Sequence, residues 1–190
     1  FFYFHQGNAF ERDGSLLLDM VTFADASVIS ALSLSDLSAG EFAHPMGDLT
    51  RFRLSLQEGT VKREQLYSGH LSLPRVNEAV RTEPYRFVYA QGAAGTDRTT
   101  FPTGLRKVDV RTGETDSWSA PNLYCGEPVF VPRPGSEPED AGVVLSVVLD
   151  TEREQSGLLV LDGQTFEREA IAWVPHVLPF DFHGQYFGPG

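Results

Sequence analysis

Apolar and polar positions alternate with a period of two over most of the chain, in short runs. Phe52 and Leu54 alternate with Arg51, Arg53 and Ser55, the pattern of a half-buried strand. Residues 85–90 alternate in the same way, and residues 142–149 form a continuous apolar run of strand length. The same criteria predict strands over residues 1–10, 16–23, 61–67, 71–76 (interrupted by Pro74), 105–110, 115–118, 127–131, 158–161, 166–174 and 180–187. Gly14, Gly59, Gly113 and Gly163 sit in the turns between them. Only residues 26–37, with Val28, Ile29, Leu32 and Leu37, carry a weak helical period, which predicts a short helical insert.

The turn glycines Gly59, Gly113 and Gly163 recur at about fifty-residue intervals, and each round holds four strands followed by a proline-bearing crossing. The fold class is therefore all-β, and four-strand rounds of this length predict blades of a β-propeller. A β-sandwich with regular hairpins is the competing reading. In a propeller the first strand of every blade lines the axis. Those strands carry His5, Ser72, Glu127 and His183, so residues far apart in sequence converge.

Composition narrows the function classes. The chain has 190 residues, 41% apolar, enough for one buried domain or part of a larger one. A net charge of -11 argues against nucleic acid as a partner. The single cysteine, Cys125, excludes an internal disulfide and fits a reducing, cytoplasmic setting. No apolar run reaches membrane-spanning length and no signal peptide is visible. The start on Phe1, without Met or a polar lead-in, suggests a fragment lacking its N-terminal part.

Candidate chemistry centres on the histidines. His5 follows Phe1-Phe-Tyr-Phe4, and His183 lies between Phe182 and Gly184. A lone His on an apolar strand is more often a hydrogen-bonded core residue than a ligand. Two at equivalent blade positions make a metal pair an equal contender, since neutral imidazoles suit iron, zinc, copper or nickel. Glu127, before Pro128 in an apolar strand, needs a partner if buried and is placed to brace an imidazole. His44 and His70 read as solvated, and His176 as lying at a blade edge. Cys125 reads as a small buried thiol, Asn8 as a strand-end hydrogen bond, and the acidic run at residues 135–140 as a solvated turn rather than a calcium site. No Gly-x-Ser-x-Gly elbow, P-loop or dinucleotide fingerprint is present.

Five segments together resemble the carotenoid oxygenases (carotenoid cleavage dioxygenases). They are Phe4-His-Gln-Gly-Asn-Ala-Phe-Glu11, Leu73-Pro-Arg-Val-Asn77, Gly126-Glu-Pro-Val-Phe-Val131, Glu139-Asp-Ala-Gly-Val-Val-Leu-Ser-Val-Val148 and Phe182-His-Gly184, in the family's order and over essentially the whole chain. The likeness is to the family's C-terminal part. It implies that residues 1–190 are the C-terminal portion of one seven-bladed propeller domain, about three blades plus a closing strand, with the N-terminal blades missing.

The resemblance further implies one Fe(II) held by four His, of which His5 matches the third and His183 the fourth, with Glu127 in the outer shell. Ser72 departs from the family, whose motif carries a bracing Glu there. This puts the orientation of His5 in doubt, with Ser72 through a water, or His70, as substitute braces. Family members mostly cleave a conjugated double bond of a carotenoid, apocarotenoid or stilbene with O2, giving carbonyl products; some isomerise and hydrolyse retinyl esters. Phe4, Phe180 and Phe182 are then candidates for the lining of an apolar substrate tunnel. Peripheral membrane contact stays open, because apolar substrates are collected from lipid. The alternatives to the oxygenase are a non-catalytic propeller that binds a partner and a retinoid isomerohydrolase-like activity.

Overall fold

The computed structural model describes residues 1–39, 47–92, 103–180 and 182–188. Three antiparallel sheets follow one another along the chain. The first runs in the order β1 (Phe2–Arg12), β2 (Ser15–Phe23), β3 (Asp48–Ser55), β4 (Thr60–Tyr67), with two short helices, α1 (Ser27–Ala31) and α2 (Leu34–Ala39), between β2 and β3. The second is β5 (Leu71–Arg75), β6 (Phe87–Gly92), β7 (Gly104–Asp109), β8 (Thr115–Ser119). In the third, β9 (Leu123–Cys125) and β10 (Val129–Pro132) both pair with β11 (Gly142–Asp150), followed by β12 (Gln155–Asp162) and β13 (Arg168–Trp173).

The sequence pattern explains the stacking of the sheets. In β6, Val88 and Ala90 enter a core shared with Phe10, Leu17, Val21 and Leu49 of the first sheet. Phe87 and Tyr89, on the opposite face, enter a second core with Phe130, Val144, Leu159 and Leu161 of the third. A strand buried on both faces needs apolar residues at odd and even positions alike, as β6 has. The last strand of each sheet, β4, β8 or β13, is largely exposed. In β4 that edge carries Lys62, Arg63 and Glu64, charges that disfavour strand addition. The β1–β2 hairpin closes through Asp13 (φ 49°) and Gly14 (φ 68°), the left-handed pair a two-residue hairpin turn requires.

Buried polar side chains tie the sheets together. Asp19 is fully buried and accepts from Arg51 Nε and Nη2 at 2.8 and 2.7 Å and from the Tyr85 hydroxyl at 2.5 Å, joining the first sheet to the second. Asn8 is a buried mid-strand latch rather than a strand-end bond. Its amide donates to the carbonyls of Val80 and Glu83, and its Oδ1 accepts from Thr82 N. The acidic run likewise ends in a junction instead of a solvated turn. The Glu139 carboxylate accepts from the backbone N of Arg86 and Phe87, and Asp140 pairs with the buried Lys107 at 2.7 Å. Each of these groups satisfies backbone or charge that the packed sheets would otherwise bury unpaired.

Two further expectations are corrected. The strand expected over residues 180–187 is not seen: among the described residues after β13, none joins a ladder. With Pro175 and Pro179 unable to donate, their backbone is held by other means. Ser156, buried in β12, exchanges backbone bonds with Val174 and His176 and accepts from Leu178 N through its hydroxyl, which turns the chain back after β13. His70 is buried, not solvated, whereas His176 is exposed and His44 lies outside the described residues. No described helix is long and apolar enough to cross a membrane.

Candidate functional site

The first strand of every sheet is irregular where it meets the others, and each irregularity delivers a side chain to the same cleft. In β1 the ladder with β2 shifts register twice, between Tyr3 and Gln6 and again between Gln6 and Asn8, and His5 lies in the first of these shifts. In β5 the register with β6 shifts between Ser72 and Arg75, with Leu73 in the left-handed region at φ 49°. A leucine there costs on the order of 1–2 kcal/mol, so the surrounding structure must hold it. In the third sheet, β9 and β10 share the partner β11 but are separated by residues 126–128, where Pro128 has no N–H to give. Glu127 is presented from this gap. Bulges bend a strand and re-aim its side chains, a common device beside functional sites.

The three elements enclose, with the segment after β13, an open cleft of about 420 Å³ lined by Phe4, His5, Pro74, Arg75, Glu127 and His183 among others. The His5 and His183 rings stand edge to face with centroids 5.1 Å apart. His183 Nδ1 lies 3.0 Å from Glu127 Oε1, and Gly184 N donates to Glu127 Oε2 at 2.8 Å. A carboxylate only accepts, so Nδ1 carries the ring proton and the Nε2 lone pair of His183 is left for another partner. Burial lowers the His5 pKa below its ordinary value of 6.5; the neighbouring His183 lowers it further, while Glu127 pulls the other way. The neutral imidazole, the form that binds metals, is thereby favoured.

Such a donor set fits part of a metal centre. Two imidazoles converge, one of them with its second nitrogen bonded to a carboxylate, as metal-bound His commonly is. Among the described residues no cluster of three or more His, Cys, Asp or Glu could hold an ion, so these two donors would need others to complete a coordination sphere.

The remaining candidates fall in different places. Phe4 lines the cleft, and the Phe182 ring lies 4.7 Å from the His183 ring and 5.7 Å from that of His5. Phe180 packs near Tyr124 at 6.2 Å instead. Phe4, Phe180 and Phe182 are 39%, 53% and 62% exposed, so all three leave apolar surface uncovered in the described chain. Ser72 is half-buried opposite Gln91 and does not line the cleft. From β5 it is Arg75 that reaches the site: its Nη1 lies 3.6 Å from Glu127 Oε1, and its Nη2 donates to Gln185 Oε1 at 2.9 Å and to Gly184 O at 3.3 Å. Sequence reasoning passed over Arg75, although the need of a buried Glu127 for a partner was the signal that could have found it. Cys125 is fully buried between the second and third sheets and burial pushes its thiol up to about 12, which makes it a packing residue and not a nucleophile.

Residues 1–188 match the family described as retinal pigment epithelial membrane protein (RPE65). Among curated relatives, the mouse (Mus musculus) β,β-carotene 15,15'-dioxygenase is 31% identical over 96% of this chain and 37% of its own length. The apocarotenoid-15,15'-oxygenase of Synechocystis is 33% identical over 97% of the chain and 38% of that protein. Carotenoid cleavage dioxygenase 8, chloroplastic, of Arabidopsis thaliana is 33% identical over 95% of the chain and 34% of that protein. Among solved structures, cobalt-substituted Synechocystis ACO superposes with a TM-score of 0.91 at 29% identity, covering 99% of this chain and 40% of that one. The chain thus spans about two-fifths of the length of the relatives it matches.

Proposed function

Because this chain belongs to the RPE65 family of carotenoid oxygenases, we propose that it is the C-terminal portion of an Fe(II)-dependent enzyme that cleaves a conjugated double bond of a carotenoid, apocarotenoid or stilbene with O2. The three sheets are then three blades of a seven-bladed propeller, and His5 and His183 are two of four imidazole ligands on its axis. The observation that carries this reading is the convergence of the two rings in one cleft, with Glu127 bonded to the outer nitrogen of His183. The cobalt-substituted relative supports a metal site in the family.

Bound iron would supply a place where O2 is activated beside the polyene. Everything else falls to the chain. Burial favours the neutral form of His5, and Glu127 holds the proton of His183 on Nδ1, which leaves the Nε2 lone pair for the metal. Phe4 and Phe182, with Phe180 further out, offer an apolar wall that excludes water and suits a substrate with few polar atoms. One O2 added across one C=C yields two carbonyls, so the atoms balance without a reductant. The acidic net charge suits no nucleic-acid role, and the setting proposed is cytoplasmic with peripheral membrane contact for substrate uptake.

The test uses the complete protein. Iron-loaded enzyme incubated with β-carotene, apocarotenoids and a hydroxystilbene should consume O2 and release aldehydes or ketones. His183→Ala should abolish turnover by removing a ligand, and His176→Ala, at an exposed position, should not. Products limited to isomers or hydrolysed esters would favour the isomerohydrolase reading, and no binding of any polyene would favour a non-catalytic propeller.

A further inference from the structure

The register shift in β5 decides which way Arg75 points. Leu71 opposes Gly92 and Ser72 opposes Gln91; continued without interruption, this register would set Arg75 opposite Val88. Arg75 instead opposes Tyr89. Directly opposed residues of a ladder project to the same face, and one extra residue reverses the faces of all that follow. Val88 belongs to the core shared with the first sheet and Tyr89 to the core shared with the third. The extra residue at Leu73–Pro74 therefore turns Arg75 away from the first core and toward Glu127, and returns Val76 to the first core.

So aimed, one guanidinium spans three groups. It faces Glu127 Oε1, the oxygen bonded to the His183 ring, and it donates to the carbonyl of Gly184 and the side chain of Gln185, immediately after His183. Glu78 lies 3.9 Å away on the outer side. Among the described residues, the segment carrying His183 joins no ladder, so the bonds made by Arg75 and Glu127 stand where strand pairing would otherwise fix its position. Lys could place a charge here but not a planar fork with several donors.

We infer that Arg75, aimed by the bulge at Leu73–Pro74, is a positioning residue for the metal centre: it clamps Glu127, the Gly184 carbonyl and the Gln185 side chain and so sets the place and orientation of His183. This rests on the metal-site reading above. Co(II) titration of the complete apoprotein reads it without turnover, together with hydrogen exchange at the Gly184 amide, which donates to Glu127.

Arg75→Gln should weaken Co(II) binding about 10–100-fold, the usual effect of losing an outer-shell partner, and speed Gly184 exchange. Arg75→Lys should fall between the two. Arg86→Gln, which breaks a pair with Asp109 that lies outside the cleft, should leave Co(II) affinity unchanged. If Arg75→Gln binds Co(II) as tightly as the parent, or Arg86→Gln weakens it as much, the clamp is wrong. If Arg75→Gln does not fold, Arg75→Lys decides: affinity equal to the parent's overturns the need for the fork. A parent that binds no Co(II) would sink the metal reading itself, and the clamp with it.

Discussion

Glu127 holds the His183 ring at 3.0 Å with one carboxylate oxygen and the backbone N of the next residue, Gly184, at 2.8 Å with the other. Both oxygens are thus committed to the same two-residue segment. In Glu127→Gln one oxygen becomes an NH2 group, which cannot accept, so either one of the two bonds is lost or His183 switches tautomer and gives up its Nε2 lone pair. Iron retention by the complete protein should fall about 10–100-fold, measured by metal analysis after dialysis. Iron content equal to the parent's would remove Glu127 from this role.

The Asp19 network should dominate local stability. Asp19→Ala leaves Arg51, whose side chain is only 11% exposed, without its counter-ion and Tyr85 without its acceptor. Breaking such a buried pair costs about 3–5 kcal/mol. Tyr85→Phe removes one bond and should cost about 1–3 kcal/mol. Urea denaturation of the complete protein measures both. A loss under about 1 kcal/mol for Asp19→Ala would mean the site refills with water or repacks.

Cys125 should be inert while the fold stands. With its pKa pushed up to about 12 by burial, the thiol remains protonated at pH 8. Iodoacetamide should leave the Cys125 peptide unmodified in native protein and alkylate it in urea, read by mass spectrometry. Rapid native labelling would show that the second and third sheets part readily.

Acid should loosen the β12–β13 turn. Asp162 accepts from Gln164 N and Thr165 N at 2.8 Å each, and these bonds hold its pKa below the ordinary 3.8. A carboxyl with a depressed folded pKa contributes stability that is fully present above 3.8 and fades as pH falls through the folded value. The parent should therefore lose thermal stability on acidification below 3.8 more steeply than Asp162→Asn does. Parallel curves for the two would assign acid sensitivity elsewhere.

Local pattern alone determined the helical insert, the hairpin turns and the strands of the three sheets except β9, because a period-two alternation and a turn residue act within a few positions of each other. It missed β9 and started the next strand at Glu127, in what is the gap before β10. It also singled out His5, Glu127 and His183, since an imidazole or a carboxylate in an aromatic, apolar strand is conspicuous wherever that strand goes. Tertiary structure decided the rest. The bulges beside His5 and before Arg75 depend on how one strand registers on its neighbour, and no residue type in Leu73-Pro-Arg-Val-Asn77 announces a shift. Residues 180–187 read as a strand, yet strand character needs a ladder partner, and here side chains hold the backbone instead. Glu139 and Asp140 read as solvent-facing because acidic residues usually are; only the approach of Arg86, Phe87 and Lys107 from another sheet makes them a junction. Pairings between groups fifty or more residues apart are set by packing of whole sheets, which local periodicity does not encode.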